Sequence, residues 1–296
     1  MTESTVTEST ALASSIDPAT RMGAVRLTVS DLERSRSVYE QVVGLRSSDL
    51  ADGGLALSGE AGEPLIELHG DASAPTLNRS ATGLFHVAIL LPSRRDLALA
   101  LTRIAQARWP LDGASDHLVS EALYLSDPDG NGIEIYRDRP RSEWPHTDGH
   151  LEMATLPLDL DDVLGELSPE DQPQPLVPGG TSMGRVHLQV ADLADAEAFY
   201  HGVLGFDVMV RLYPGALLLS AGGYHQHLGM NTWNSRGAGP PSPGAVGLRT
   251  FDAVLPTTEA LERVLAQARA AGIAIDQTER GALVRDPSGN AVVLRA

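Results

Sequence analysis

Lysine and cysteine are both missing from this chain of 296 residues, so all 22 basic residues are arginine. Without lysine there is no side-chain amine for a Schiff base and no lysine general base. Without cysteine, disulfides, thiolate nucleophiles and iron–sulfur ligation are excluded, and the redox compartment stays open. Positive charge is scarce as well. Thirty-nine acidic against 22 basic side chains give a formal net charge of −17, which argues against nucleic acid or an anionic membrane as a partner. No apolar run is long enough for a membrane span. The Ser- and Thr-rich start has no basic cluster and reads as a flexible tail over residues 1–20, not a signal peptide; a cytoplasmic protein is expected. What is present, 42% apolar and 21% charged residues, is the make-up of a globular protein larger than one usual domain.

The chain repeats itself. V-R-L-T-V-S-D-L (Val25 to Leu32) matches V-H-L-Q-V-A-D-L (Val186 to Leu193), and each runs into a helix carrying Tyr39 or Tyr200 and then a Val-Gly-Leu or Leu-Gly-Phe turn. F-H-V-A-I-L-L-P-S (Phe85 to Ser93) matches F-D-A-V-L-P-T (Phe251 to Thr257). The two latter units end on related turns, D-P-D-G-N-G-I-E-I-Y (Asp127 to Tyr136) and D-P-S-G-N-A-V-V-L-R (Asp286 to Arg295). Alternating apolar strands, helices opened by Asp or Ser, and Gly/Pro turns describe four βαβββ units. Their expected bounds are 21–72, 83–139, 182–234 and 245–296, the first two and last two forming sequence-adjacent pairs. An acidic, Pro-rich linker at 140–181 holds at most a short helix at Leu158 to Leu167. One such unit cannot bury its own sheet face, so the expected fold is α+β, with units paired into two curved-sheet cups.

The chemistry concentrates between His117 and Glu134: H-L-V-S-E-A-L-Y-L-S-D-P-D-G-N-G-I-E. A histidine precedes Tyr124 by seven residues, a tight Asp127–Asn131 turn follows, and a strand then carries Glu134. This order resembles the ring-cleavage signature of the extradiol dioxygenases, in the vicinal oxygen chelate superfamily. It departs at Ser115, where glycine or a few other types are usual. The resemblance covers nearly everything from Arg21 onward except the linker. The stretch G-G-Y-H-Q-H-L-G-M-N-T-W (Gly222 to Trp233) further resembles bacterial catechol-2,3-dioxygenase-like proteins.

The resemblance implies two metal-binding histidines on first strands of two paired units and one glutamate on a last strand. Such a face holds Fe(II), or Mn(II), and leaves three adjacent positions for a catecholate and O₂. The second unit supplies His86 and Glu134, and the third supplies His187. The first unit has Arg26 in the slot of His187, with Glu67 available later, and the fourth has Thr250 and Val293. Sequence-adjacent pairing would split the good ligands between two incomplete cups. Crossed pairing, second with third and first with fourth, gathers His86, Glu134 and His187 into one cup. A dimer exchanging units would do the same, and exposed cup edges are compatible with a homodimer.

By the same resemblance His117 is the acid–base residue, suited by a near-neutral imidazole pKa, and Tyr124 holds a substrate oxygen. His225 and His227 are expected to share one strand face, and His227 is included as a site residue of open role, a fourth metal ligand among its options. For Glu134 the competing role is a buried salt bridge to an arginine. His117 could instead be a surface loop histidine and Tyr124 a core aromatic. The expected function is a non-haem Fe(II) extradiol dioxygenase acting on a small aromatic diol with O₂. Its rivals are a glyoxalase-like isomerase or thiol transferase using Zn, Ni or Mn, and a non-catalytic protein that binds aromatic drugs.

Overall fold

The computed structural model describes residues 14–172, 174–211 and 214–296. The first unit is β1 (Arg21–Val29), α1 (Leu32–Val38), β2 (Arg46–Asp49), β3 (Leu55–Ser58) and β4 (Ile66–Gly70). The second is β5 (Gly83–Leu91), α2 (Arg94–Gln106), β6 (Gly113–Asp116), β7 (Ser120–Ser126) and β8 (Gly132–Asp138). Between the halves lie β9 (His146–Thr147), β10 (His150–Leu151), β11 (Leu156–Pro157) and α3 (Leu160–Leu164). The third unit is β12 (Ser182–Gln189), α4 (Leu193–Tyr200), β13 (Asp207–Val210), β14 (Ala216–Ser220) and β15 (Leu228–Asn231). The fourth is β16 (Gly247–Val254), α5 (Thr258–Ala270), β17 (Asp276–Thr278), β18 (Gly281–Arg285) and β19 (Ala291–Arg295).

Each unit's helix starts where the sequence places a capping side chain. Asp31, Ser93, Asp192 and Thr257 each accept a backbone N–H of the first turn, satisfying a donor the helix itself cannot. The apolar faces of these helices pack on the outer faces of two sheets. Most of the core, including Val25, Leu27, Ile66, Val87, Ile89, Val186, Leu188 and Phe251, lies in that layer.

Pairing is crossed, and it is made within one chain. One sheet runs β17-β18-β19-β16-β1-β4-β3-β2, joining the fourth unit to the first; the other runs β11-β6-β7-β8-β5-β12-β15-β14-β13, joining the second to the third. The joints are antiparallel, β1 on β16 and β5 on β12. Sequence-adjacent units are tied differently, through their turns. The Tyr39 hydroxyl donates to Asp127 at 3.3 Å and the Tyr200 hydroxyl to Asp286 at 3.1 Å. Each of those aspartates also receives the side-chain amide two residues past the turn's proline–x pair, Asn131 at 2.8 Å and Asn290 at 2.9 Å. The tyrosines and asparagines of the repeat are thus turn anchors.

Ordered packing begins before Arg21. Ile16 is buried, and its N–H bonds the Gly205 carbonyl at 2.8 Å. Gly205 has φ +86°, and a Cβ there would lie 2.5 Å from the Ser14 carbonyl, so only glycine fits. Residues 1–13 of the expected tail lie outside the described residues.

The linker is more structured than its composition implies. It holds the β9–β10 hairpin, the short helix α3, and β11, which adds an antiparallel edge to β6. Arg94 clamps it: the guanidinium pairs with Glu121 at 2.8 Å on β7 and with Asp162 at 2.6 Å and Glu166 at 3.0 Å across the linker. Among the described residues no helix is long and apolar enough to cross a membrane.

Candidate active site

Strand register assembles the site. His86 on β5 lies directly opposite His187 on β12. Beside them in parallel register stand Gly132 on β8 and Gly229 on β15. Two residues further along the same faces come Glu134 and Asn231. The two units therefore present a matched set related by pseudo-twofold symmetry: His86 with Glu134, and His187 with Asn231.

The members of each pair are in direct polar contact. His86 Nε2 is 3.0 Å from Glu134 Oε2, and Asn231 Nδ2 is 3.0 Å from His187 Nε2. Asn231 Oδ1 accepts the Trp233 N–H at 3.2 Å, which orients the amide so that Nδ2 donates and His187 Nε2 accepts. Burial, with His86 close by, drives the His187 pKa well below the ordinary histidine value, so the ring is neutral with its proton on Nδ1. Burial alone would raise the Glu134 pKa. The Arg185 guanidinium 2.8 Å from Oε1, together with His86, overrides that and holds the carboxyl well below the usual carboxylate range. Glu134 is ionised and 2% exposed.

His117 and Tyr124 stand beside this set, the one phenol proton lying between two acceptors, His117 Nε2 and Glu134 Oε1. His117 Nε2 lies 2.6 Å from the Tyr124 hydroxyl, which lies 3.1 Å from Glu134 Oε1. His117 Nδ1 lies 2.7 Å from the Ala154 carbonyl. A carbonyl only accepts, so Nδ1 carries the proton and Nε2 is the basic atom facing Tyr124. Burial lowers the His117 pKa, and the ring is uncharged near neutrality. The linker supplies Ala154, so it forms part of the site wall.

These groups line a cavity of about 210 Å³, with Phe85, Met153, Thr155, Leu218, Gln226 and Trp233 completing its walls. Trp233 is 47% exposed at the rim and meets Phe85 edge-on, ring centres 5.3 Å apart.

Two expectations are corrected. His225 and His227 do not share a strand face, because β15 begins only at Leu228 and the residues before it are irregular. His225 Nε2 turns to Asp138 at 2.7 Å, and His227 Nδ1 accepts the Ala221 N–H at 3.0 Å. Neither lines the cavity; Gln226 between them does. Asn231, not a histidine, fills the slot matching Glu134. Arg185, Gln226 and Asn231 had no distinguishing motif. The one available signal was the period of two, which puts Arg185 on the face of His187.

The other cup repeats the register with different chemistry. Arg26 faces Thr250, as His187 faces His86, and the position matching Glu134 on β19 is Val293. The Arg26 guanidinium donates to Thr250 Oγ1 at 3.2 Å, Glu67 at 3.2 Å and Asp252 at 2.5 Å. Arg295 and Arg280 close this network on Asp252 and Glu67. A cationic side chain occupies the place where an ion would sit. Arg26→Ala removes the shortest partner of Asp252, itself 1% exposed, but leaves it paired with Arg295, and is expected to destabilise the fold by about 1–3 kcal/mol while leaving metal content unchanged. Urea denaturation with metal analysis checks both.

Acid should weaken the fold. His69, His117, His187, His225 and His227 all have pKa values lowered chiefly by burial, His227 to about 4. Unfolded histidines titrate near about 6.5, so the unfolded chain binds more protons below that pH. Their stabilisation is complete above about pH 6.5 and lost as pH falls toward the folded values. The melting temperature is expected to drop by several degrees from about pH 7 to about pH 5, and His227→Gln should reduce that drop. A flat profile would refute the buried neutral state of these rings.

In donor type and charge state, His86, His187 and Glu134 fit a divalent cation: two imidazoles, one fixed neutral, and an ionised carboxylate on one wall. The 3.0 Å between His86 Nε2 and Glu134 Oε2 equals the spacing of adjacent ligands around an ion bonded at about 2.1 Å. Among the described residues no three such side chains form a preformed cation cage. His187 Nε2 is held by the Asn231 amide.

Comparison with known proteins agrees with this architecture. The family model described as Glyoxalase/Bleomycin resistance protein/Dioxygenase superfamily matches residues 21–135 and 182–294, leaving out the linker that carries Ala154. The catechol-2,3-dioxygenase of Bacillus subtilis (strain 168) is 43% identical over 283 residues, covering 94% of this chain and 98% of that protein. Among solved structures, glyoxalase I from Zea mays aligns with a TM-score of 0.58 at 18% identity, covering 93% of this chain and 92% of that one, a likeness of fold.

Proposed function

This chain belongs to the glyoxalase/bleomycin resistance protein/dioxygenase superfamily, and on that footing we propose that it is a non-haem, Fe(II)-dependent extradiol dioxygenase that opens a catechol-type ring with O₂. The observation that carries the proposal is one cavity wall bearing His86, His187 and Glu134 with the His117–Tyr124 hydrogen-bonded pair beside it. The 43% identity to a protein named catechol-2,3-dioxygenase supports it.

His86, His187 and Glu134 would hold the iron. When bound, it supplies a site where diol oxygens and O₂ meet and exchange electrons. The chain's own residues do the rest. Phe85 and Trp233 offer aromatic faces for the ring, and Met153 and Leu218 help exclude water. A diol hydroxyl entering near Tyr124 finds a proton acceptor in His117 Nε2, with the phenol as relay. The Ala154 carbonyl fixes the imidazole tautomer so that Nε2, not Nδ1, is the base. The resulting imidazolium is stabilised by the nearby Glu134 charge, and it can return the proton later in the cycle.

A glyoxalase-like isomerase or thiol transferase would need a fourth strong ligand. The fourth slot here is the Asn231 amide, and His227 is turned to Ala221, so ring cleavage is favoured.

The test is anaerobic metal analysis, then catechol and O₂ in an oxygen electrode with the yellow ring-opened product followed optically. One iron per chain with matched O₂ uptake and product is the expected result. Bound zinc or nickel with no O₂ uptake across several catechols would overturn it.

A further inference from the structure

The cavity contains a group that ring cleavage does not call for, a sequestered guanidinium. Arg185 is 2% exposed. A buried arginine is costly unless its donors are matched, and Arg185 Nε is buried with no hydrogen-bond partner among the described residues. Its shortest polar contact among the described residues is Nη2 to Glu134 Oε1 at 2.8 Å; Ser120 Oγ and Gln226 Oε1 are both at 3.4 Å.

Its seat is nevertheless built. The guanidinium lies over the Tyr136 ring, 3.8 Å from its centre. Tyr136 can come that close only because residue 184 is glycine: a Cβ there would stand 1.8 Å from the Tyr136 hydroxyl. That hydroxyl is 2.9 Å from the Tyr224 hydroxyl, which donates to Asp138 at 2.8 Å. The floor beneath Arg185 is therefore fixed from both sides.

The result is a division of labour between the oxygens of Glu134. Oε1 is occupied by Arg185 and by the Tyr124 hydroxyl at 3.1 Å, while Oε2 faces His86 at 3.0 Å. We propose that Arg185 is a positioning residue for Glu134: it is the carboxylate's resident counter-ion when no metal is bound, and by holding Oε1 it restricts Glu134 to one coordinating oxygen, Oε2. This rests on the metal site of the ring-cleavage proposal. Two effects of opposite sign follow. In the metal-free protein Arg185 stabilises, because it matches a buried carboxylate. Toward a divalent ion it is a like charge one carboxylate away, and it weakens binding. An arginine with only a structural role would not oppose the ion.

The experiment compares wild type with Arg185→Met, similar in reach but uncharged, and Arg185→Lys. Thermal melting of the metal-free proteins is measured, and Co(II) affinity by calorimetric titration, with the Co(II) visible band reporting coordination. Arg185→Met is expected to melt several degrees lower without metal yet bind Co(II) about tenfold more tightly, with Arg185→Lys between. Folding of Arg185→Met only when Co(II) is present is the extreme form of that result. Folded Arg185→Met with unchanged or weaker Co(II) affinity overturns the proposal. If Arg185→Met fails to fold even with Co(II), Arg185→Lys decides, and affinity no better than wild type overturns it. Wild-type protein that takes up no Co(II) would instead overturn the metal-dependent function itself.

Discussion

Replacing Glu134 by alanine should empty the site of metal, abolish turnover and weaken the metal-free fold. The first two losses follow from removing the only carboxylate of the proposed triad. The third follows from what remains. Arg185 would be a buried cation without its carboxylate, left with the Tyr136 ring and the longer contacts to Ser120 and Gln226, and breaking a buried pair from one side costs about 3–5 kcal/mol. His86→Ala provides the contrast. It should also lose metal, but Glu134 and Arg185 would stay paired, so the metal-free protein should remain much closer to wild type. Chemical denaturation of metal-free samples, run beside metal analysis, separates the two. Equal stability of metal-free Glu134→Ala and His86→Ala would mean that the Glu134–Arg185 pair contributes nothing and that its geometry has been misjudged.

His117→Ala should behave in the opposite manner: metal retained, fold retained, turnover reduced by about 10²–10⁴-fold, the usual contribution of a positioned acid–base group. Among the described residues His117 contacts Tyr124 and the Ala154 carbonyl, while Glu134 keeps Arg185 and His86 without it, so the triad keeps its shape. Tyr124→Phe should cost less, since the phenol relays the proton but His117 remains to accept it. Steady-state rates at saturating catechol, corrected for iron content, measure both. His117→Ala with wild-type turnover would remove this residue from the proton path. A parallel loss of iron would make its role structural.

Much of this was legible before any coordinates. The strands, capped helices and Asp-Pro turns are local features. Period-two alternation, a capping side chain or an aspartate that binds its own turn each act over a few residues, so sequence specifies them. The repeat made the slots comparable, and with the ligand set that the resemblance implies it pointed to crossed pairing, within one chain or by exchange of units in a dimer, as the way to bring His86, Glu134 and His187 together. The same reasoning marked Arg26 and Thr250 as a cup without a metal.

What sequence could not decide depends on contacts between residues far apart in the chain. Arg185 and Glu134 lie 51 positions apart, and the period of two puts that arginine on the face of His187 but names no partner for it; the β5–β12 joint points it at the carboxylate. The linker looked like a spacer because its composition is polar and Pro-rich, yet one backbone carbonyl, that of Ala154, sets the tautomer of His117, and a carbonyl has no sequence signature. The shared face expected for His225 and His227 failed for a related reason: alternation predicts a face only inside a strand, and where β15 begins is fixed by its pairing with β12 and β14. The sequence by itself determined the units and the donor types. The tertiary structure decided which donors meet and which charge stands beside them, because burial and proximity are properties of the packed sheets and not of any one segment.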